Sequence, residues 1–280
     1  MKVVVASDLS YRSMSAVHRG ILLGAQHAAD VVLLHVSDEE LPAKLSVEAQ
    51  SWARDALAAE CRRVVNDNQP PPTIHVQAGW PKRTIPEFCA MVRPDVLVLG
   101  LHDRTKDSPF GFHDTTAGRL ASSSDAPVLL VRDPAKKSYE KAVIGVDFSQ
   151  YSRKALMHAQ RLVPGAELRL THAYQVPFRS RFGTPEYLKE VESSARRELN
   201  AFVEAQMNLL TSSATTGRIA PVIREGVATE VLRAEVEQSA ADLLVIGTHG
   251  SGGLSQLLWG SVAGNLLESP PCDVLVVQAH

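Results

Sequence analysis

Cysteine is scarce in this chain. Only three occur in 280 residues, Cys61, Cys89 and Cys272, far apart and without any C-x-x-C spacing, which excludes a disulfide framework and a zinc ribbon and fits a reducing compartment. An excess of one charge is also missing. Lys plus Arg number 29 against 31 Asp plus Glu, a formal net charge of −2 with no long basic run, so the electrostatic footprint of a DNA- or RNA-binding protein is absent. No stretch of 18 apolar residues exists, and the run Val3 to Ala6 is too short for a signal sequence before Ser7 and Asp8 interrupt it. A cytoplasmic protein with no membrane partner is the expectation. The signatures G-x-S-x-G, H-E-x-x-H and G-x-x-x-x-G-K-[ST] do not occur, which leaves no ready-made catalytic elbow, zinc protease helix or P-loop.

What is present is ordinary globular composition, 45% apolar and 21% charged, over a length that holds two domains of roughly 140 to 150 residues. The halves are repeats of one another. VVVASDLS at 3–10 matches AVIGVDFS at 142–149, each an apolar run ending in Asp8 or Asp147 and then Ser. His35 in LLHV answers His172 in RLTHAY; Gly79, Asp95 and Gly100 answer Gly226, Asp242 and Gly247; and APVLLVRD at 126–133 answers CDVLVVQA at 272–279. These matches predict a domain over 1–133, a polar linker over 134–141 and a second domain over 142–280.

Within each copy, short Val-, Leu- and Ile-rich runs alternate with helical periodicity, which predicts β-α-β units wound into a parallel sheet covered on both faces. The predicted strands are Val3 to Ser7, Val31 to Val36, Ile74 to Ala78, Val96 to Gly100 and Val128 to Arg132, then Val143 to Asp147, Glu167 to Ala173, Ile219 to Arg224, Leu243 to Gly247 and Val274 to Gln278. Met14, Val17, Ile21, Ala25 and Ala28 predict the inner face of one helix, and Leu188, Val191, Ala195, Leu199, Phe202 and Gln206 that of a longer one. The fold class is therefore α/β, two tandem open-sheet domains of five parallel strands each, Rossmann-like. Right-handed crossovers bring the loops after the first and fourth strands of each copy to one crevice.

In the second copy the fourth strand runs into THGSGGLSQLLWGS, with glycines at 247, 250, 252, 253 and 260. Such a segment lets backbone N–H groups converge on an anion without a Cβ in the way, and Gly260 and Ser261 then open a helix whose positive end favours oxyanions. The segment reads as a phosphate cradle that lacks the Walker lysine, with a plain flexible turn as the alternative. Asp147, at the end of the first strand, can accept from an amino group or a ribose hydroxyl, or can instead cap the next helix. His249 could touch phosphate, but a loop histidine with no ligand is the expectation, and His35 and His172 are expected to be hydrogen-bonded parts of the core.

These residues resemble the universal stress proteins of the UspA type, in tandem form, over both halves. The nucleotide-binding pattern of that family, G-x2-G-x9-G-[ST], is matched in full by Gly247, Gly250, Gly260 and Ser261. The resemblance implies an adenine nucleotide alpha hydrolase-like fold and an ATP site, with Mg2+ as an optional companion. It places Asp147 at the nucleoside end, Ala173 in the adenine pocket, and backbone contacts at Gly145, Ile246, Gly247, Gly250, Gly260, Ser261 and Val262. It also implies a regulatory stress-response role rather than an enzyme's, with slow ATP hydrolysis, phosphate transfer or a nucleotide-free scaffold as alternatives. Pairing of the copies into an intramolecular pseudo-dimer, and of chains into a homodimer, follows from the same resemblance.

The first copy departs from the pattern. Gly100 is kept, but Asp103 stands for Gly250, and Asp114 with Thr115 for Gly260 and Ser261. A carboxylate about 4 Å from a phosphate oxygen costs on the order of 4 kcal/mol at an effective dielectric of 20. The expectation is one triphosphate site per chain, in the second copy. His102, Asp103, His113 and Asp114 could together hold a divalent metal, but their spacing fits no established motif, and no metal site is assigned.

Overall fold

The computed structural model describes residues 1–65, 70–101, 116–209, 218–248 and 260–278. It divides into two compact units, the first Met1–Ser138 together with Asp273–Val276, the second Tyr139–Cys272 together with Val277.

In the first unit, β1 (Lys2–Ala6), α1 (Tyr11–His27), β2 (Asp30–Ser37), α2 (Ala43–Val64), β3 (Thr73–Ala78), α3 (Pro81–Val92), β4 (Val96–Gly100), α4 (Thr116–Ser123) and β5 (Val128–Val131) alternate along the chain. The strand order is β3-β2-β1-β4-β5, all parallel. Val3, Val4, Val5, Leu33, Leu34, Val98, Leu129 and Leu130 are wholly buried, as strands covered on both faces require. Helix α1 lies very close to the sheet: a Cβ at Gly20 would come within 2.2 Å of Val5 Cγ2, so this position admits no side chain without a shift. Its buried face runs through Val17, Gly20, Ile21, Leu23 and Gly24, while Ala25 and Ala28 are exposed. The periodic reading of apolar alanines had placed those two inside, but the tight glycine contacts rotate the stripe.

The edge of β5 is covered by β10 (Asp273–Val277), which pairs with it antiparallel, Val274 opposite Leu130 and Val276 opposite Val128. A buried ion pair anchors this strand. Arg19 Nη2 lies 3.4 Å from Asp273 Oδ2, both side chains under a tenth exposed. Arg19 also donates to the Lys137 carbonyl at 2.9 Å, and the Arg132 amide donates to Asp273 Oδ1 at 2.8 Å. Nothing in the sequence patterning pointed to this pair.

In the second unit, β6 (Lys141–Gly145), α5 (Gln150–Leu162), β7 (Glu167–Tyr174), the short α6 (Arg179–Phe182), α7 (Pro185–Leu209), β8 (Ile219–Glu225), α8 (Ala228–Ser239), β9 (Leu243–Gly247) and α9 (Ser261–Glu268) follow in order. The strands lie β9-β6-β7-β8, all parallel. Strand β6 starts at Lys141, the last residue of the expected linker, and Tyr139 just before it is buried. Along α7, Ala195, Leu199, Phe202 and Gln206 face inward as the spacing predicts, and Leu188 and Val191 are half-buried.

Candidate functional site

The crevice of the second unit is built by its first and fourth parallel strands. Strands β6 and β9 are neighbours with Ile144 opposite Val245, which puts Gly145 beside Ile246 at the carboxyl ends of both. A Cβ at Gly145 would meet Leu232 Cδ1 at 3.2 Å, a tight approach that glycine avoids. Just beyond, Ser149 caps α5 by accepting from the Ser152 amide. Asp147 Oδ1 accepts from the Ser149 amide at 3.1 Å and from the Ser149 hydroxyl at 2.6 Å. The helix cap weighed for this aspartate is therefore supplied by Ser149, and the half-buried Asp147 holds that cap residue instead.

Between Asp147 and Ser149, Phe148 holds a left-handed backbone, φ 65°, which is costly for a bulky residue. Its surroundings fix it there. Its ring lies 4.4 Å from the His172 ring on β7 and 5.8 Å from that of Phe202 on α7. His172 Nδ1 donates to the Val146 carbonyl at 2.8 Å, tying β7 to the same loop. The first unit repeats the device: Leu9 also has φ 65°, His35 Nδ1 donates to the Ser7 carbonyl at 2.8 Å, and Asp8 Oδ1 accepts from the Ser10 amide at 3.0 Å. Both histidines hold the loop after the first strand, as hydrogen-bonded residues should, although each is half-buried rather than wholly enclosed. Phe148 was missed by sequence reasoning, because a non-glycine residue at positive φ leaves no compositional mark.

On the β9 side, the Thr248 amide donates to the Val277 carbonyl at 3.0 Å, and the Thr248 carbonyl accepts from the Gly260 amide at 2.9 Å. The start of α9 is thereby tied to the end of β9. Gly260 is the cap residue of α9 with an extended backbone, and no side chain caps that helix. Its first turn opens with the exposed Ser261 and the half-buried Val262, and its backbone N–H groups take no cap from the side chain at position 260. Ala173 lies on β7 opposite Arg224 of β8, one residue beyond His172. Gly247 ends β9. Gly250 and His249 lie outside the described residues, as do His102, Asp103, His113, Asp114 and Thr115 of the first copy. Among the described residues, no group of three or more His, Cys, Asp and Glu is placed to hold a metal ion, and no helix is long and apolar enough to cross a membrane.

The family pattern is decided by comparison over the whole chain: the universal stress protein family matches twice, over residues 1–132 and 138–278. The chain belongs to the universal stress protein family. Curated relatives match about half of the chain. A universal stress protein of Methanocaldococcus jannaschii is 30% identical over 149 residues, 50% of this chain and 82% of the relative. One from Thermus aquaticus is 26% identical over 144 residues, 50% of this chain and 99% of the relative. Among solved structures, a universal stress protein from Archaeoglobus fulgidus superposes with a TM-score of 0.73 at 16% identity, covering 99% of this chain and 98% of that one, a likeness of fold. This universal stress protein accordingly has two tandem domains of the family's Rossmann-like, nucleotide alpha hydrolase-like fold.

Proposed function

We propose that this universal stress protein is an adenine-nucleotide-binding regulatory protein with one functional ATP site, in the second unit. Binding, not turnover, is its activity: ATP stabilises a conformation that a partner reads. The observation that carries the reading is the Gly260 amide on the Thr248 carbonyl, which sets an uncapped helix start beside the strand end next to Asp147. A helix N-terminus without a side-chain acceptor favours phosphate through both its free N–H groups and its dipole. In this reading the triphosphate lies along Gly247, Gly250, Gly260, Ser261 and Val262. Gly145 and Ile246 give the backbone contacts at the strand ends, Ala173 meets the base, and Asp147 accepts from the nucleoside. The complete G-x2-G-x9-G-S spacing supports the same placement.

Thermal unfolding with and without ATP tests the proposal. Ligand at a hundred times its dissociation constant adds about 2.7 kcal/mol of stability when only the native state binds it. An unchanged melting temperature at millimolar ATP would mean that the glycine segment is vestigial. Phosphate release, compared between wild type and Ser261→Ala, separates binding from slow hydrolysis.

A further inference from the structure

Helix α2 of the first unit carries two apolar stripes. Ala53, Leu57 and Cys61, four residues apart, are its buried face, on the side of β2 and β3. Leu45, Ala49, Trp52, Ala56 and Ala59, spaced alternately by four and three, form a second stripe roughly a third of a turn away. This one looks outward. Leu45 is 50% exposed and Trp52 65%, with the three alanines half-buried between and beyond them. The fold does not require it: in the second unit α7 holds the equivalent place between the second and third strands, and its surface carries ion pairs instead, Arg196 with Glu192 at 3.0 Å and Arg197 with Glu190 at 2.8 Å.

The ends of α2 bear opposite charges. Asp38, Glu39 and Glu40 precede it, and Arg62 and Arg63 lie in its last turn, all of them exposed. A second copy of the same helix, running antiparallel, complements both features. A two-fold axis crossing α2 between Gln50 and Ser51 sets Leu45 of one copy opposite Ala56 of the other and Trp52 opposite Ala49, so that a large side chain meets a small one in every layer. The same axis brings Arg62 and Arg63 beside Asp38, Glu39 and Glu40 of the other copy. A parallel pair would set like against like, Trp52 on Trp52 and acid on acid. Within one copy Glu39 already touches Arg83 at 3.5 Å and Arg63 touches Glu60 at 3.1 Å, surface contacts that are weak enough to be shared. We infer that α2 is the face through which two copies of this chain associate, antiparallel, with Trp52 of each seated over Ala49 of the other. The edge of β5 is already taken by β10, and this surface is independent of the nucleotide site proposed for the second unit.

A contact made chiefly by one helix from each copy is small, so dissociation in the micromolar range is expected, and sedimentation velocity on the full chain from roughly 2 to 200 µM brackets it. A reversible monomer–dimer equilibrium should appear with or without ATP. Trp52→Glu, an exposed position in the single copy, should weaken association at least about tenfold. Arg62→Glu should weaken it about threefold or more, and adding Glu40→Arg to the same chain should restore it, as the antiparallel pairing requires. Far-UV circular dichroism verifies that the variants fold. Hydrogen exchange on the wild type needs no substitution: amides within residues 45–59 should exchange more slowly at the upper concentration than at the lower. A chain monomeric throughout the range, a dimer unaltered by Trp52→Glu, an unrescued Arg62→Glu, exchange over 45–59 that ignores concentration, or open-ended assembly beyond the dimer would overturn the inference.

Discussion

The Gly260 amide donates to the Thr248 carbonyl at 2.9 Å, so that a helix start and a strand end meet at a single point. In the first unit the carbonyl of Leu101, at the matching position, accepts from Arg12 Nη1 at 3.3 Å.

The first prediction transfers the charge of the first copy into the second. Gly250→Asp should reduce ATP affinity at least about a hundredfold, since a carboxylate near a phosphate oxygen costs several kcal/mol. The fold should survive. Isothermal titration checks the first expectation and circular dichroism the second; an unchanged affinity would place the ligand elsewhere.

Asp147 should act at two levels. Asp147→Ala removes the bonds from the Ser149 amide and hydroxyl, costing about 1 kcal/mol of stability, and should also weaken ATP binding at least about tenfold. Ser10→Ala, which removes the side-chain cap of α1 in the first unit, should cost a similar amount of stability and leave ATP affinity alone. Urea unfolding with parallel titrations distinguishes the two variants.

The architecture was legible because parallel strands buried on both faces must be nearly continuous Val, Leu and Ile. All ten strands were therefore found, with ends displaced by one or two residues where flanking Lys2, Thr73 or Lys141 still pairs. The glycine spacing stood out in the sequence as well, although Gly250 lies outside the described residues. Two features were not legible. The left-handed Phe148 is imposed by packing against His172 and Phe202, which lie far along the chain. The Arg19–Asp273 pair joins residues whose partnership depends on β10 covering β5, a tertiary event with no local signal.

Breaking the buried pair should be costly. Asp273→Ala leaves Arg19 charged in a nearly water-free position and frees the Arg132 amide, so a loss of about 3 to 5 kcal/mol is expected. Denaturant unfolding measures it. A loss below about 1 kcal/mol would show that the strand is held by its backbone pairing alone.

Burial pushes the Cys89 thiol up from an ordinary 9.0 to about 11. Because the folded state resists forming the thiolate, its contribution to stability is complete below pH 9 and is lost as the pH rises to about 11, on the order of 3 kcal/mol in all. Cys89→Ala should flatten that part of the alkaline stability profile. Under native conditions at pH 8, iodoacetamide should label the half-buried Cys272 well before the buried Cys61 and Cys89, as read by peptide mass spectrometry.

The most direct test of the single-site reading is a crystal of the full chain soaked with ATP. Density is expected along the start of α9 and the end of β9 in the second unit, with no triphosphate in the first. Nucleotide density in the first unit, or in neither, would contradict the account.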